Sequence, residues 1–454
     1  MARGKKKETT LTPEEKMAQA LVPDWEQPYK VPRNWSWVRL GSFSTNQYGY
    51  TAKAIEDKSL PKMLRITDIQ DSGVDWSSVP NCEINKADLE KYLLRPNDIV
   101  IARIGATTGK SFLLENPTNS VFASYLIRLR PFDCFIPAYV YYFLQSDAYW
   151  KQISELSSGL ALPGVNSSKL QTMMFPSAPK AEQQRIVDRI EYLFAKLDET
   201  KEKAQSVLDS FETRKAAILH KAFTGELTVK WRAEHGIGMD TWKHHTFREL
   251  CTDIVRGGSP RPAGSPEFYD GPIPFMKVAD ITRNNSPYVS SAEYSIKEAG
   301  LKKTRMVSAN TLLLTNSGAT LGVPAICTFE TTFNDGIAAF LGLPEDTLLF
   351  YYYFWTSKTS DLRAINKGAA QPNLNTTIIG DVEIDIPSDP EKYEIVRILE
   401  SLFMKEEQAK EAAEAVLEKI DLLKKSILAR AFRGELGTNN PTEESALELL
   451  KRII

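Results

Sequence analysis

Between Glu182 and Thr228 the apolar positions fall on alternating steps of four and three: Ile190, Phe194, Leu197, Ala204, Leu208, Phe211, Ile218 and Ala222, with Lys201 and Lys215 on the same grid. Such steps keep one stripe along a helix and form a heptad seam. No Pro or Gly interrupts the run before Gly225, so it predicts a helix of roughly 40 residues, about 60 Å long, that the glycine stops. The grid returns 209 residues later as Leu399, Phe403, Glu406, Lys410, Ala413, Leu417, Ile420, Lys424, Ile427 and Ala431, closed by Gly434. Two such helices are expected to pair as an antiparallel coiled coil. Lysine recurs at equivalent seam positions, Lys201/Lys410 and Lys215/Lys424, where it either fixes register or snorkels at the seam edge.

The repeat extends beyond the seam. Ile186-Val187 recurs as Ile395-Val396, and Ala222-Phe223-x-Gly225-Glu226-Leu227 as Ala431-Phe432-x-Gly434-Glu435-Leu436, without a gap. The segments in front of the helices repeat more loosely. Leu64-Arg-Ile-Thr-Asp-Ile69 answers Met276-Lys-Val-Ala-Asp-Ile281, and Gly105-Ala-Thr-Thr-Gly109 answers Gly318-Ala-Thr-Leu-Gly322. A shared frame therefore holds two diverged globules, the signature of a two-fold internal repeat. Short β-type runs (98–102, 124–129, 310–315, 337–341) and one aromatic helix per globule, at 137–144 and 348–355, predict mixed α/β domains with irregular sheets. An aromatic stripe on a helix is expected to be core rather than a base-stacking platform. The fold class is α+β, with a tail or helix at 1–24, domains at 25–180 and 243–388, helical regions at 181–232 and 391–437, and a C-terminal segment at 438–454.

Composition narrows the class. Apolar content of 42% in 454 residues is enough for real cores. No apolar run approaches a membrane span and no signal-peptide pattern follows the lysine-rich start, so a cytoplasmic, membrane-free protein is expected. Cys82, Cys134, Cys251 and Cys327 are widely spaced, which argues against both zinc and disulfides. A net charge of −2 counts against DNA coating by bulk electrostatics but permits a reader with local basic groups.

Catalytic chemistry finds no repeated constellation. Gly105-Ala-Thr-Thr-Gly109-Lys110-Ser111 ends like a phosphate-binding loop, but Ile104 stands where the first glycine is needed, and the second copy has lost the lysine. A tight turn between strands explains both copies. The four histidines, His220, His235, His244 and His245, lie in or just after the first helix with no counterpart in the second half. Two fused active sites would repeat their catalytic residues, whereas this chain repeats its scaffold.

This organisation resembles the specificity subunits of type I restriction-modification systems over essentially the whole chain. The resemblance rests on two variable domains alternating with two near-identical helical regions. Each region begins after a Pro-rich segment, Phe175-Pro-Ser-Ala-Pro179 before Glu182-Gln-Gln-Arg-Ile-Val or Ile386-Pro-Ser-Asp-Pro390 before Glu394-Ile-Val, and ends in Ala-Phe-x-Gly-Glu-Leu. Glu391-Lys-Tyr-Glu departs from the Glu-Gln pair and puts local contacts there in question. The resemblance implies a chain without catalysis or cofactor of its own, in which each domain reads one half of a split target in double-stranded DNA. The helices would set the gap and dock two methyltransferase subunits, which bring S-adenosylmethionine; restriction/translocase subunits complete the complex. It further implies that Glu443–Leu450 and Glu14–Ala18 meet to finish the first domain's frame.

The family does not identify base contacts, so candidates come from residue chemistry. They are Gln47, Tyr48, Tyr50, Thr51, Lys53, Lys62, Arg65, Arg103 and Lys110 in the first domain, and Arg256, Ser259, Arg261, Lys277, Arg283, Lys302, Lys303 and Arg305 in the second. Arginine and lysine pair with guanine edges and glutamine with adenine, although most such groups contact phosphate. Two rival readings are a coiled-coil adaptor with two protein-binding globules and a nucleotide-binding enzyme using the 105–111 loop.

Overall fold

The computed structural model describes residues 12–70, 73–157, 164–283, 286–365 and 374–454; the lysine-rich start of the chain lies outside them. The chain forms two compact units. The first joins everything up to Ala204 with Ala415–Ile454, and the second is Gln205–Glu414.

The second helical copy is a single helix, Asp389–Ala431, of 43 residues. The first is not, contrary to its uninterrupted seam. It runs Lys180–Asp209 and resumes at Phe211–Phe223. At the break, Ser210 Oγ donates to the Ser206 carbonyl at 2.6 Å, and the Arg214 guanidinium donates to the Val207 carbonyl at 3.1 Å and to Ser210 Oγ. Side chains that capture backbone carbonyls compete with the helical ladder. The corresponding residues of the second copy are Lys419 and Leu423, and that helix runs through. Gly225 (φ 77°) and Gly434 (φ 74°) end the two copies in the left-handed region that favours glycine.

Inside the first unit, Lys424 Nζ donates to Asp198 at 2.5 Å and lies 5.1 Å from the Phe194 ring centroid. Inside the second, Arg214 Nε donates to Glu406 at 2.8 Å, Lys215 lies over Phe403 and Lys410 over Phe211. Three of the four seam lysines thus rest on aromatic rings, where a cation is attracted by the ring face. Lys201 is exposed.

Each unit carries its own sheet. In the first, the strands Ser44–Tyr48, Leu126–Pro131, Ile99–Ala102 and Ser111–Leu113 lie in that order, all antiparallel. In the second the order is Asp253–Arg256, Ile337–Leu341, Thr311–Thr315, Pro324–Cys327 and Tyr288–Val289, with only the last pair parallel. The central registers match: Ala102 pairs with Leu126 and Thr315 with Ile337. The expected 124–129 strand starts only at Leu126, because Ser124 and Tyr125 belong to the turn before it. A two-stranded antiparallel clasp ties the beginning of each domain to its end, Ser36–Arg39 with Met174–Ser177 and Lys243–Thr246 with Glu383–Ile386.

The aromatic helices are core elements. Tyr139 and Phe143, from Pro137–Phe143, pack on Phe432; Phe350 and Phe354, from Leu348–Ile365, pack on Phe223. Within each unit, the Ala-Phe-x-Gly ending of a long helix supplies the phenylalanine that seals the aromatic helix. The 105–109 turn joins two antiparallel strands, with Gly105 at φ 80° and Gly109 at φ 91°. Gly318 and Gly322 repeat it at 76° and 82°. Each turn leads into a strand rather than a helix, so it lacks the helix N-terminus that a phosphate loop uses.

Candidate nucleic-acid interface and its frame

Each unit is built around one buried carboxylate at the start of a long helix. Glu182 is fully buried and accepts from Trp35 Nε1 at 2.7 Å, Asn439 Nδ2 at 2.9 Å and Thr438 Oγ1 at 3.4 Å. Glu391 is also fully buried and accepts from Arg232 Nη1 at 2.7 Å, Thr228 Oγ1 at 2.6 Å and Trp242 Nε1 at 3.2 Å. The tryptophan comes from just before the clasp strand, and the other donors from the chain that follows the opposite copy's Gly-Glu-Leu ending. One acid thus gathers three chain segments, and its lone pairs are satisfied as burial requires.

One position later the copies diverge, as the departure at Glu391-Lys-Tyr-Glu suggested. Gln183 is fully buried, accepting from Ile136 N at 2.9 Å and donating to the Ala178 carbonyl at 2.9 Å. Its counterpart Lys392 is nearly buried, bonded to Asp389 at 2.8 Å and lying over the Tyr351 ring.

Both chain ends complete the first frame. Arg185 forms a forked pair with Glu443, both bonds 2.8 Å, and donates to the Thr438 carbonyl. That arginine holds the Glu443 carboxyl below the usual range. Ala446 N donates to the Asn34 carbonyl at 2.9 Å and Lys16 Nζ to the Ile454 carbonyl at 3.3 Å, while Met17, Leu450 and Ile453 share one apolar cluster.

On this frame the candidate readers separate into groups. In the first domain, Tyr48 and Arg103 converge on the turn 123–125. The Arg103 guanidinium lies 4.8 Å from the Tyr48 ring centroid and donates to the Ser124 carbonyl at 3.3 Å, and Tyr48 Oη accepts from Ser167 N. Gln47 accepts from the buried Arg128, whose guanidinium burial pulls down to about 10. Tyr50 packs against Tyr92; Thr51, Lys53 and Lys110 are exposed. Lys62 donates to the Val79 carbonyl at 3.1 Å; Arg65, next to the Leu64 carbonyl that accepts from Ala123 N at 2.9 Å, is paired with Asp68 at 2.7 Å.

In the second domain, Arg256 Nε donates to the Asp335 carbonyl and Ser259 Oγ to the Asp335 carboxylate, both at 2.6 Å. Lys303 joins them: a Cβ on Gly258 would sit 2.2 Å from its carbonyl oxygen. Arg261, Lys302 and Arg305 are exposed. Lys277, next to the Met276 carbonyl that accepts from Asn334 N at 3.0 Å, lies over Tyr294, and Arg283 pairs with Glu293.

Sequence reasoning missed the turn itself: Ser124 and Tyr125, 58% exposed, in one domain and Asn334 and Asp335 in the other. It also missed Asn316, although aligning Gly105–Gly109 with Gly318–Gly322 sets Arg103 opposite Asn316.

The repeated frame and the two diverged sheets define a two-reader subunit, and the chain belongs to the family described as "Type I restriction modification DNA specificity domain", whose model matches residues 32–208 and again 239–418. It is a type I specificity subunit with two recognition domains. The chain is similar to the EcoKI specificity subunit of Escherichia coli K12, 25% identical with 93% of this chain and 96% of the relative covered. It is likewise similar to the StySPI specificity subunit of Salmonella potsdam, 26% identical with the same coverage. The HsdS subunit of Thermoanaerobacter tengcongensis has the same fold, with a TM-score of 0.63 at 20% identity over 90% of this chain and all of that one. Among the described residues no helix is long and apolar enough to cross a membrane.

Proposed function

We propose that each recognition domain reads one half of a bipartite target in double-stranded DNA, through the faces around residues 123–125 and 334–336. The long helices form an antiparallel coiled coil that sets the unspecified gap and docks two methyltransferase subunits. Those partners bring S-adenosylmethionine, restriction/translocase subunits complete the complex, and this chain acts in the cytoplasm without catalysis of its own. The observation that carries the reading is that a buried carboxylate bonded by a tryptophan indole and two further donors recurs at Glu182 and Glu391 while the chemistry around the two turns differs. The helix contacts of the second unit support antiparallel pairing, because the residue numbers fall on one helix (Lys410, Glu406, Phe403) as they rise on the other (Phe211, Arg214, Lys215).

The test is exchange of residues 25–180 for the equivalent domain of a relative, followed by sequencing of methylated sites made by the assembled complex. One half of the target should change and the other stay; change in both would sink the idea of independent readers. Inserting matched heptads at Ala204 and Ala413, each adding about 10 Å of helix, should widen the gap by about three base pairs of 3.4 Å rise with both halves unchanged. The purified chain alone should turn over neither S-adenosylmethionine nor ATP.

A further inference from the structure

The two domains hold an arginine on the same backbone oxygen but deliver it from different strands. The sheet registers make Ser124 and Asp335 equivalent. Arg103 N donates to the Tyr125 carbonyl and Asn316 N to the Gly336 carbonyl, while Gly49 N and Gly257 N donate to the first residue of the next strand, Leu126 or Ile337. By the same registers Tyr48 corresponds to Arg256, and Arg103 to Asn316.

In the first domain the guanidinium comes from the turn position, Arg103, and an aromatic ring from the strand end, Tyr48. In the second it comes from the strand end, Arg256, and the turn position holds Asn316. Arg103 Nη1 meets the Ser124 carbonyl and Arg256 Nε meets the Asp335 carbonyl. Asn316 is fully buried, with neither amide atom bonded among the described residues, so it presents nothing outward. The Gly49 and Gly257 backbones press against this turn so closely that a Cβ would lie 2.1 Å from the Ala123 oxygen or 2.3 Å from the Asn334 oxygen. The turn is held in place in both units while the arginine's origin has switched.

We propose that Arg103 and Arg256 are the specificity-determining arginines of the first and second domains, each reading one guanine of its half-site. The inference rests on each domain reading one half-site. A guanidinium held by one N–H on a carbonyl keeps further donors in a planar fork, the geometry that matches guanine O6 and N7. The Tyr48 ring limits the Arg103 plane further.

The experiment uses the full chain assembled with its methyltransferase subunits and reads the motif of methylated sites for Arg103→Gln, Arg103→Lys, Arg256→Gln and Arg256→Lys. Discrimination at one G·C pair should fall roughly 5- to 150-fold, in one half for Arg103 and in the other half for Arg256. The lysine variants should relax it as well, because they keep charge without the fork. Weaker methylation at an unchanged motif would mean phosphate contacts only and overturn the proposal. Relaxation of both halves together, or failure of both variants at a position to assemble, would overturn it too. An unmutated complex that methylates no two-part motif would instead defeat the reading on which the proposal rests.

Discussion

The two buried acids, Glu182 and Glu391, do the same mechanical task with different electrostatics. Glu391 faces a nearly buried arginine, Arg232, whereas Glu182 faces an indole, an amide and a hydroxyl, all neutral. The difference shows that the repeat conserves a junction rather than a set of partners. A carboxylate drawing three segments together tolerates either solution provided its oxygens are satisfied, but the two junctions should fail differently when one donor is removed.

The largest effect is expected from Arg232→Ala, which strands Glu391 as an uncompensated buried charge and should cost about 3–5 kcal/mol. Asn439→Ala removes a neutral donor from Glu182 and should cost about 1.5–3 kcal/mol. Because a chain with two compact units need not unfold in one step, hydrogen exchange resolved by unit is the appropriate measurement. Equal losses at both junctions would erase the contrast.

Next comes the neighbouring pair. Gln183→Lys puts an ammonium into a fully buried site where the residue three positions earlier is Lys180, bonded to the Asp133 carbonyl, rather than an acid such as Asp389. It should destabilise the first unit by about 3 kcal/mol. The reverse change, Lys392→Gln, should cost about 1 kcal/mol, the scale of one hydrogen bond. Denaturant midpoints of both variants decide; a tolerated Gln183→Lys would show that this part of the frame is less dry than its packing implies.

A smaller effect concerns the helix break. Ser210→Ala removes the hydroxyl that captures the Ser206 carbonyl and should stabilise the helix by about 0.5 kcal/mol, the propensity difference between the two residues. Lys419→Ser in the uninterrupted copy should not create a break, since Leu423 stands where Arg214 does in the first. Site-resolved amide exchange along both copies separates these outcomes.

The smallest effect is on pH. Arg185 holds the folded Glu443 carboxyl below its ordinary value. The pair therefore contributes stability that is complete above the unfolded carboxyl value of about 4.3 and fades as pH falls through the folded one. Proteolytic nicking within 438–454 should rise below about pH 4, and Glu443→Gln should flatten that dependence while raising nicking at neutral pH.

By itself the sequence determined the repeat, the helical regions, the glycines that end them and the aromatic helices of the core. These are local and periodic properties: a seam at steps of three and four, or Phe432 beside Gly434, is written in adjacent residues. The resemblance carried by the Pro-rich starts and Ala-Phe-x-Gly-Glu-Leu endings led to the family. Only the tertiary structure decided which segments meet at Glu182 and Glu391, since Trp35, Asn439 and Glu182 are distant in sequence and nothing in their spacing announces a bond. It also decided the break at Ser210, where Arg214 reaches back to the Val207 carbonyl, and the equivalence of Arg103 with Arg256. Two different strands deliver those guanidinium groups to equivalent backbone oxygens, Ser124 in one domain and Asp335 in the other, and aligned letters place neither arginine opposite the other, because hydrogen-bond register is a relation between strands rather than a property of either one.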